Sequence, residues 1–181
     1  MPSSLYTVGH SNHPLLHFLG LLTANEIQTI ADVRRFPGSR RHPHFSQAEL
    51  SESLNELGIT YQHLPALGGR RSAKKDDTAV SAWRVPAFAA YASYMLSPEF
   101  SIAFTELSLI ASNSRTAIMC SEALPWRCHR RLIADQFLAA GWQVFDIIGP
   151  NNTKRHELPS FAQIEGNRVT YPGERRPLFD D

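Results

Sequence analysis

The sequence predicts an α/β protein: a single Rossmann-like domain with a mostly parallel sheet, helices on both faces and a small C-terminal hairpin. Three observations carry that expectation. Short apolar runs alternate with longer segments of helical period along most of the 181 residues. Short, right-handed connections turn such an order into a parallel sheet covered by helices. The length suits one well-filled core, whereas two domains of about 90 residues each would have thin ones. Finally, 43% hydrophobic and 19% charged residues exclude wholesale disorder.

Each element has its own signal. Leu5-Tyr6-Thr7-Val8 is a short strand that stops at Gly9-His10-Ser11. Asn12 stands where it can cap the next helix, with Pro14 in the first turn and Leu15, Leu16, Phe18, Leu19 and Leu22 on an apolar face. Gln28 to Val33 is a second strand, ending at Arg34. The following RRFPGSRRHPHFS is too rich in Pro, Gly and Arg for a regular element and reads as a loop. Ser46-Gln-Ala-Glu49 is a capping-box pattern, and Leu50, Leu54 and Leu57 carry a helix to Gly58.

Ile59 to Leu64 alternates as a strand should, and the polar, glycine-bearing stretch Pro65 to Asp77 reads as a mobile connection. Helices are expected over 86–96 and 98–111, a compact apolar strand over Thr116–Cys120, and a helix from Pro125 to Ala140 ending at Gly141. Gln143 to Ile148 is the last parallel strand, and Glu-Gly-Asn-Arg within Ile164–Tyr171 marks the hairpin. The tail from Gly173 to Asp181 reads as loose. The expected division is an α/β domain over 1–150 and an extension over 151–181 packed on it.

No apolar run reaches the roughly 18 residues needed to span a bilayer, and the N-terminus lacks a signal-peptide pattern. Both cysteines sit in one motif, so a soluble cytoplasmic protein with reduced thiols and no membrane partner is expected. Net charge is +1, yet the segment Arg34–Lys75 holds eight basic residues against three acidic ones. That concentration excludes a uniformly basic nucleic-acid coat and points to a local anion-binding surface.

Ligands of parallel sheets bind beyond the carboxyl ends of the strands. Three expected strands end there in reactive residue types: His10 and Ser11, Asp32 and Arg34, and Cys120 with Glu122. Cys128, placed near the start of a helix and beside Arg127, His129 and Arg130, is predicted to have a lowered thiol pKa and to act as nucleophile or redox thiol. Glu122 or His10 would carry protons, with Cys120 either taking part or packed inertly. Glu122 has the alternative of a salt bridge to Arg127 or Arg130, and Asp32 and Arg34 that of pairing with each other.

Ser11, Asp32, Arg34, Ser39, Arg40, His129 and Arg130 are candidate substrate contacts, the arginines because guanidinium binds phosphate bidentately, and Phe36 and Phe45 are candidates for stacking on a base. Arg70, Arg71, Lys74 and Lys75 form an expected flap. Cys120, Cys128, His129 and His10 are of the types that could hold zinc, but C-x7-C-H is not a familiar metal spacing and no second cysteine pair exists, so no metal ligands are assigned, and no cofactor is specified.

The ordered set Gly9-His10-Ser11, Asp32-Val33-Arg34 with Pro37 and Ser39, Leu67-Gly68-Gly69, and Cys120-x-Glu122 leading to Cys128-His129-Arg130 resembles the family called Domain of Unknown Function 488, over about residues 5–150. The resemblance implies a small, mostly bacterial, stand-alone α/β protein with cysteine-bearing motifs, and supplies no agreed substrate or reaction. From the residues, the leading expectation is an enzyme of open reaction class acting on a nucleotide, nucleic acid or other phosphate-bearing substrate. The alternatives are a nucleic-acid-binding module that uses the Arg34–His44 loop, and a thiol redox or metal sensor.

Overall fold

In the computed structural model, residues 3–72, 74 and 81–173 are described. Along the chain run β1 (Ser4–Gly9), α1 (Leu15–Ala24), β2 (Thr29–Asp32), α2 (Gln47–Glu56) and β3 (Thr60–His63). They are followed by α3 (Pro86–Tyr94), α4 (Pro98–Asn113), β4 (Thr116–Cys120), α5 (Arg130–Ala139) and β5 (Gln143–Gly149). β6 (Asn152–Arg155), β7 (Gln163–Glu165) and β8 (Arg168–Thr170) complete it, with short 3-10 turns at Pro43–Phe45, Pro65–Leu67 and Pro125–Arg127.

Alternation within the buried strands decides the layers, because successive side chains point to opposite faces. Tyr6 and Val8 of β1, Ile30 of β2 and Met119 of β4 pack with Phe18 and Leu22 of α1 and Leu50 and Leu54 of α2. Leu5, Ala31, Ile118 and Cys120 face the other way, onto Phe88 of α3, Leu107 of α4 and Leu132 of α5. Helices therefore cover both faces, as expected.

The main sheet has six strands in the order β3-β2-β4-β1-β5-β6. Its first five are parallel, and β6 lies antiparallel on β5 at the edge. β1 and β4 are neighbours whose onward connections leave in opposite directions, α1 over one face and α5 over the other. A crevice opens at such a reversal. The two chains stay paired as they leave the sheet, with His10 N donating to Cys120 O at 3.0 Å and Ser11 N to Ser121 O at 2.9 Å. Gly9 permits that approach: a Cβ there would lie 1.9 Å from Glu122 O.

Several boundaries differ from expectation. α1 has Pro14, not Asn12, at its N-cap and no side-chain cap, and Ser46 caps α2 by position but makes no side-chain hydrogen bond. The expected helix from Pro125 is a 3-10 turn, with α5 beginning only at Arg130. β6, which falls in the stretch expected as an extension, is four polar, exposed residues, as an edge strand tolerates.

The hairpin β7–β8 forms where predicted and is held against α5 by Gln136, which donates to Asn167 O at 2.7 Å and accepts from Val169 N at 3.2 Å. A buried ionic cluster adds to this. His156 bonds Asp146 through Nδ1 at 2.7 Å and Asp135 through Nε2 at 2.8 Å, while Tyr171 donates to Asp135 and Thr7 to Asp146. Burial works against the imidazolium, but the two carboxylates outweigh it and raise the His156 pKa to about 9. The loose tail expected after Gly173 and the flap residue Lys75 lie outside the described residues. Among the described residues, no helix is long and apolar enough to cross a membrane.

Candidate functional site

A cleft of about 680 Å³ opens over the carboxyl ends of β1 and β4. Cys120, Cys128 and His129 line its base, and the loop 35–42 and Gly69-Arg70 form much of its wall. Cys120 is the last residue of β4, on the α3–α5 face. Cys128 closes the 3-10 turn in extended geometry, and His129 occupies the N-cap of α5. Parallel pairing and one tight turn thus bring together residues eight and nine positions apart.

The imidazole stands between the sulfurs. His129 Nδ1 is 3.9 Å from Cys120 Sγ and 3.7 Å from Cys128 Sγ, and all three atoms lie within 4.8 Å of one another. Neither cysteine is in a disulfide, and both are buried. The Tyr91 ring packs on the imidazole at 5.1 Å between centroids. Behind it the backbone of Gly69 comes so close that a Cβ would sit 2.8 Å from Nδ1.

Leu67-Gly68-Gly69 is therefore a packed backplate rather than the start of a mobile connection. Tyr91 Oη donates to Leu67 O at 2.7 Å and Tyr94 Oη to Ala66 O at 2.6 Å. Arg71, expected in a flap, lies 3.6 Å over the Tyr94 ring and donates to Gly68 O and Ala66 O.

The two thiols titrate as a pair. A hydrogen bond from the Cys128 thiol, joined by His129 and opposed by burial, holds Cys120 well below the ordinary thiol value. The same bond to Cys120, with burial, pushes Cys128 well above it. The sequence places the lowered thiol at Cys128; within this pair the lowering falls instead on Cys120 and the raising on Cys128.

The opposite side of the cleft is held by a buried network. Arg34 Nη2 meets Asp32 Oδ2 at 2.6 Å, Nε meets Oδ1 at 2.9 Å, and Nη1 donates to Phe45 O at 2.7 Å and to His10 Nε2 at 3.2 Å. Since Arg34 can only donate, Nε2 of His10 is the acceptor and Nδ1–H donates to Ser11 O at 2.8 Å. Burial is the main reason that the His10 pKa falls to about 4. His10 is thus neutral with both nitrogens engaged, which does not suit a proton carrier. Arg34 spends its donors inside the protein and is a positioning residue instead of an anion contact.

Two further expectations need correction. Arg130 is fully buried and donates to Glu122 O and, at 2.8 Å, to Ala123 O, so it braces the loop above the thiols and does not face the cleft as a clamp. Phe45 is fully buried, stacked on His10 at 4.3 Å, and has no free face for a base. Glu122 is exposed on the cleft and makes no ion pair with Arg127 or Arg130; among the described residues its carboxylate accepts only from Leu124 N, at 3.5 Å. Ser11 also lines the cleft, and Ser39 does so while its hydroxyl accepts from His42 N at 2.9 Å.

Arg40 remains available, exposed on the rim with Arg35, Arg41, Arg70 and Arg127. Glu122 is the one acidic residue lining the cleft among the described residues. Tyr61 escaped sequence reasoning: its phenol donates to Asp32 at 2.5 Å, and burial raises its pKa. Its only signal was a place on β3, beside β2.

A family model described as Domain of unknown function DUF488 matches residues 15–137, from α1 into α5. No curated protein and no solved structure matches the chain.

Proposed function

Since the chain belongs to the DUF488 family, a domain of unknown function, its chemistry has to be read from the site, and we propose a thiol-dependent enzyme whose substrate carries a phosphate or comparable anion. One observation carries the reading. Two buried sulfurs and an imidazole nitrogen within 4.8 Å of one another underlie a cleft rimmed by five exposed arginines and one glutamate. Arginine gathers phosphate oxygens bidentately, and a shielded thiolate beside an imidazole is an activated nucleophile.

In this reading Cys120 is the nucleophile. Its proton passes to His129 Nδ1, and its Sγ forms a bond to an electrophilic centre near the bound anion. The leaving group departs with the electron pair of the broken bond and takes the proton from His129. Cys128 donates its hydrogen bond to the thiolate, and Asp32, Arg34 and His10 hold the opposite wall. Nucleotides and other small phosphate-bearing molecules fit this chemistry.

Iodoacetamide alkylation against pH, resolved for each cysteine by mass spectrometry, is the test. Cys120 should react first, with an apparent pKa below the about 8.5 of a free thiol, and inorganic phosphate should slow it. Two cysteines that titrate as free thiols, or stay inert in metal-free protein, would overturn the assignment. The exposed Arg35, Arg40 and Arg41 also support a second reading, a nucleic-acid-binding module. It predicts affinity that falls steeply with salt and is indifferent to Cys120→Ser.

A further inference from the structure

We propose that Cys120 Sγ, Cys128 Sγ and His129 Nδ1 form a Zn²⁺ site whose fourth coordination position opens into the arginine-rimmed cleft. The proposal shares residues with the thiol reading but stands on the geometry of the three donor atoms, not on nucleophilic chemistry.

A tetrahedral zinc ion with bonds of about 2.3 Å to sulfur and about 2.0 Å to nitrogen sets its donors about 3.6 Å apart along each sulfur–nitrogen edge. The corresponding edges measure 3.7 and 3.9 Å, with the third within the 4.8 Å that bounds the group. Closing on an ion therefore needs shifts of a few tenths of an ångström on the nitrogen edges. The donor set is two sulfurs and one imidazole with no carboxylate, which suits a borderline-soft ion and disfavours Mg²⁺ and Ca²⁺. Two thiolates also cancel the charge of Zn²⁺, so the buried site becomes neutral instead of concentrating charge.

The imidazole is already oriented. Gly69 and Tyr91 both pack against the ring of His129 and limit its movement. Its Nε2 is buried without a hydrogen-bond partner, so no other bond dictates which nitrogen carries the proton. All three residues line the cleft together with Ser11 and Arg127, which leaves the remaining position for water or for an oxygen of an anion held by the rim. The ligand types were visible in the sequence, but C-x7-C-H matches no familiar metal spacing; it is β4 and the turn before α5 that bring these three donors together and leave His10 out. Zinc and an alkylating electrophile compete for the same sulfurs, so occupancy is a reversible block on them.

Titration of reduced, metal-free protein with Co²⁺ tests the site. The expected result is one ion per chain, thiolate-to-cobalt charge-transfer absorption with the visible bands of a four-coordinate ion, and displacement by Zn²⁺. Removing a partner that merely orients a ligand weakens metal affinity about 10- to 100-fold. Cys120→Ser, Cys128→Ser, His129→Ala and His129→Gln should each lose at least that much while keeping the wild-type circular dichroism. Zinc should also slow alkylation of both cysteines. Absent cobalt bands in folded protein, or unchanged affinity in folded variants of all three residues, would overturn the site. Rapid Cys120 alkylation without metal binding removes the zinc site and leaves the thiol enzyme standing. Metal binding by thiols that otherwise titrate as free cysteine does the reverse.

Discussion

Replacing Gly69 with alanine would place a methyl carbon 2.8 Å from His129 Nδ1, 3.0 Å from Cγ and 3.3 Å from Cε1. Non-bonded carbon contacts settle near about 3.5 Å, so the closest is short by about 0.7 Å. The ring has little room to give, because Tyr91 packs on it at 5.1 Å and is itself tied to Leu67 O at 2.7 Å. Overpacking of this kind destabilises by about 1–3 kcal/mol. The Nδ1–sulfur contacts at 3.7 and 3.9 Å are long, so the lower end for a hydrogen bond to a charged group, about 1.5 kcal/mol, is the appropriate figure. Losing it raises the Cys120 pKa by about one unit, so the alkylation profile shifts up by that amount and the rate at pH values below the pKa falls about tenfold. Urea denaturation and cysteine-resolved alkylation of Gly69→Ala measure both effects. Wild-type stability together with a wild-type Cys120 rate would refute the idea that this glycine exists to seat the imidazole.

Other perturbations probe the framework. His156 has a folded pKa of about 9 against 6.5 when free. Its contribution is complete below the unfolded value and disappears as pH rises through the folded one, and it is on the order of 3 kcal/mol. Urea midpoints of the wild type should therefore fall between those pH values relative to His156→Gln, and parallel profiles would contradict the cluster. Arg34→Met leaves Asp32 buried without its cation, so a loss of about 3–5 kcal/mol is expected by chemical denaturation; a loss under 1 kcal/mol would show that the network is dispensable. Arg41→Ala, on the exposed rim, should stay within about 0.5 kcal/mol of wild type yet weaken protection of the thiols by phosphate. Undiminished protection would remove Arg41 from the anion site.

The sheet and the edge that carries the cleft were legible because buried parallel strands have a strong local signature. TIAD and TAIMC are wholly buried runs, and Gly58 and Gly141 end their elements with the positive φ that favours glycine. What sequence conceals is direction. Arg34 and Arg130 look like anion contacts beside exposed arginines, but both point inward to acceptors of the protein's own backbone and Asp32. Contacts between distant positions were hidden for a different reason. Gly69 against His129, and His156 between Asp135 and Asp146, belong to no motif and arise only when separate crossovers stack on the sheet. The two thiols are concealed on the same account: a helix start is judged locally at Cys128, whereas the pair titrates jointly with a neighbour across the turn.

The central place of β1 also bears on how the molecule reaches its native state. Tyr6 pairs with Ala117 on one side and Phe145 on the other, so this strand waits more than a hundred residues for either neighbour. Such contact order makes the loop-closure entropy of these pairings large and their formation late. Folding therefore begins among elements closer in sequence, such as β2, α2 and β3. The crevice between β1 and β4 appears only when the long-range pairings close, and a nascent or partly unfolded chain carries both cysteines without the cleft that gives them their chemistry.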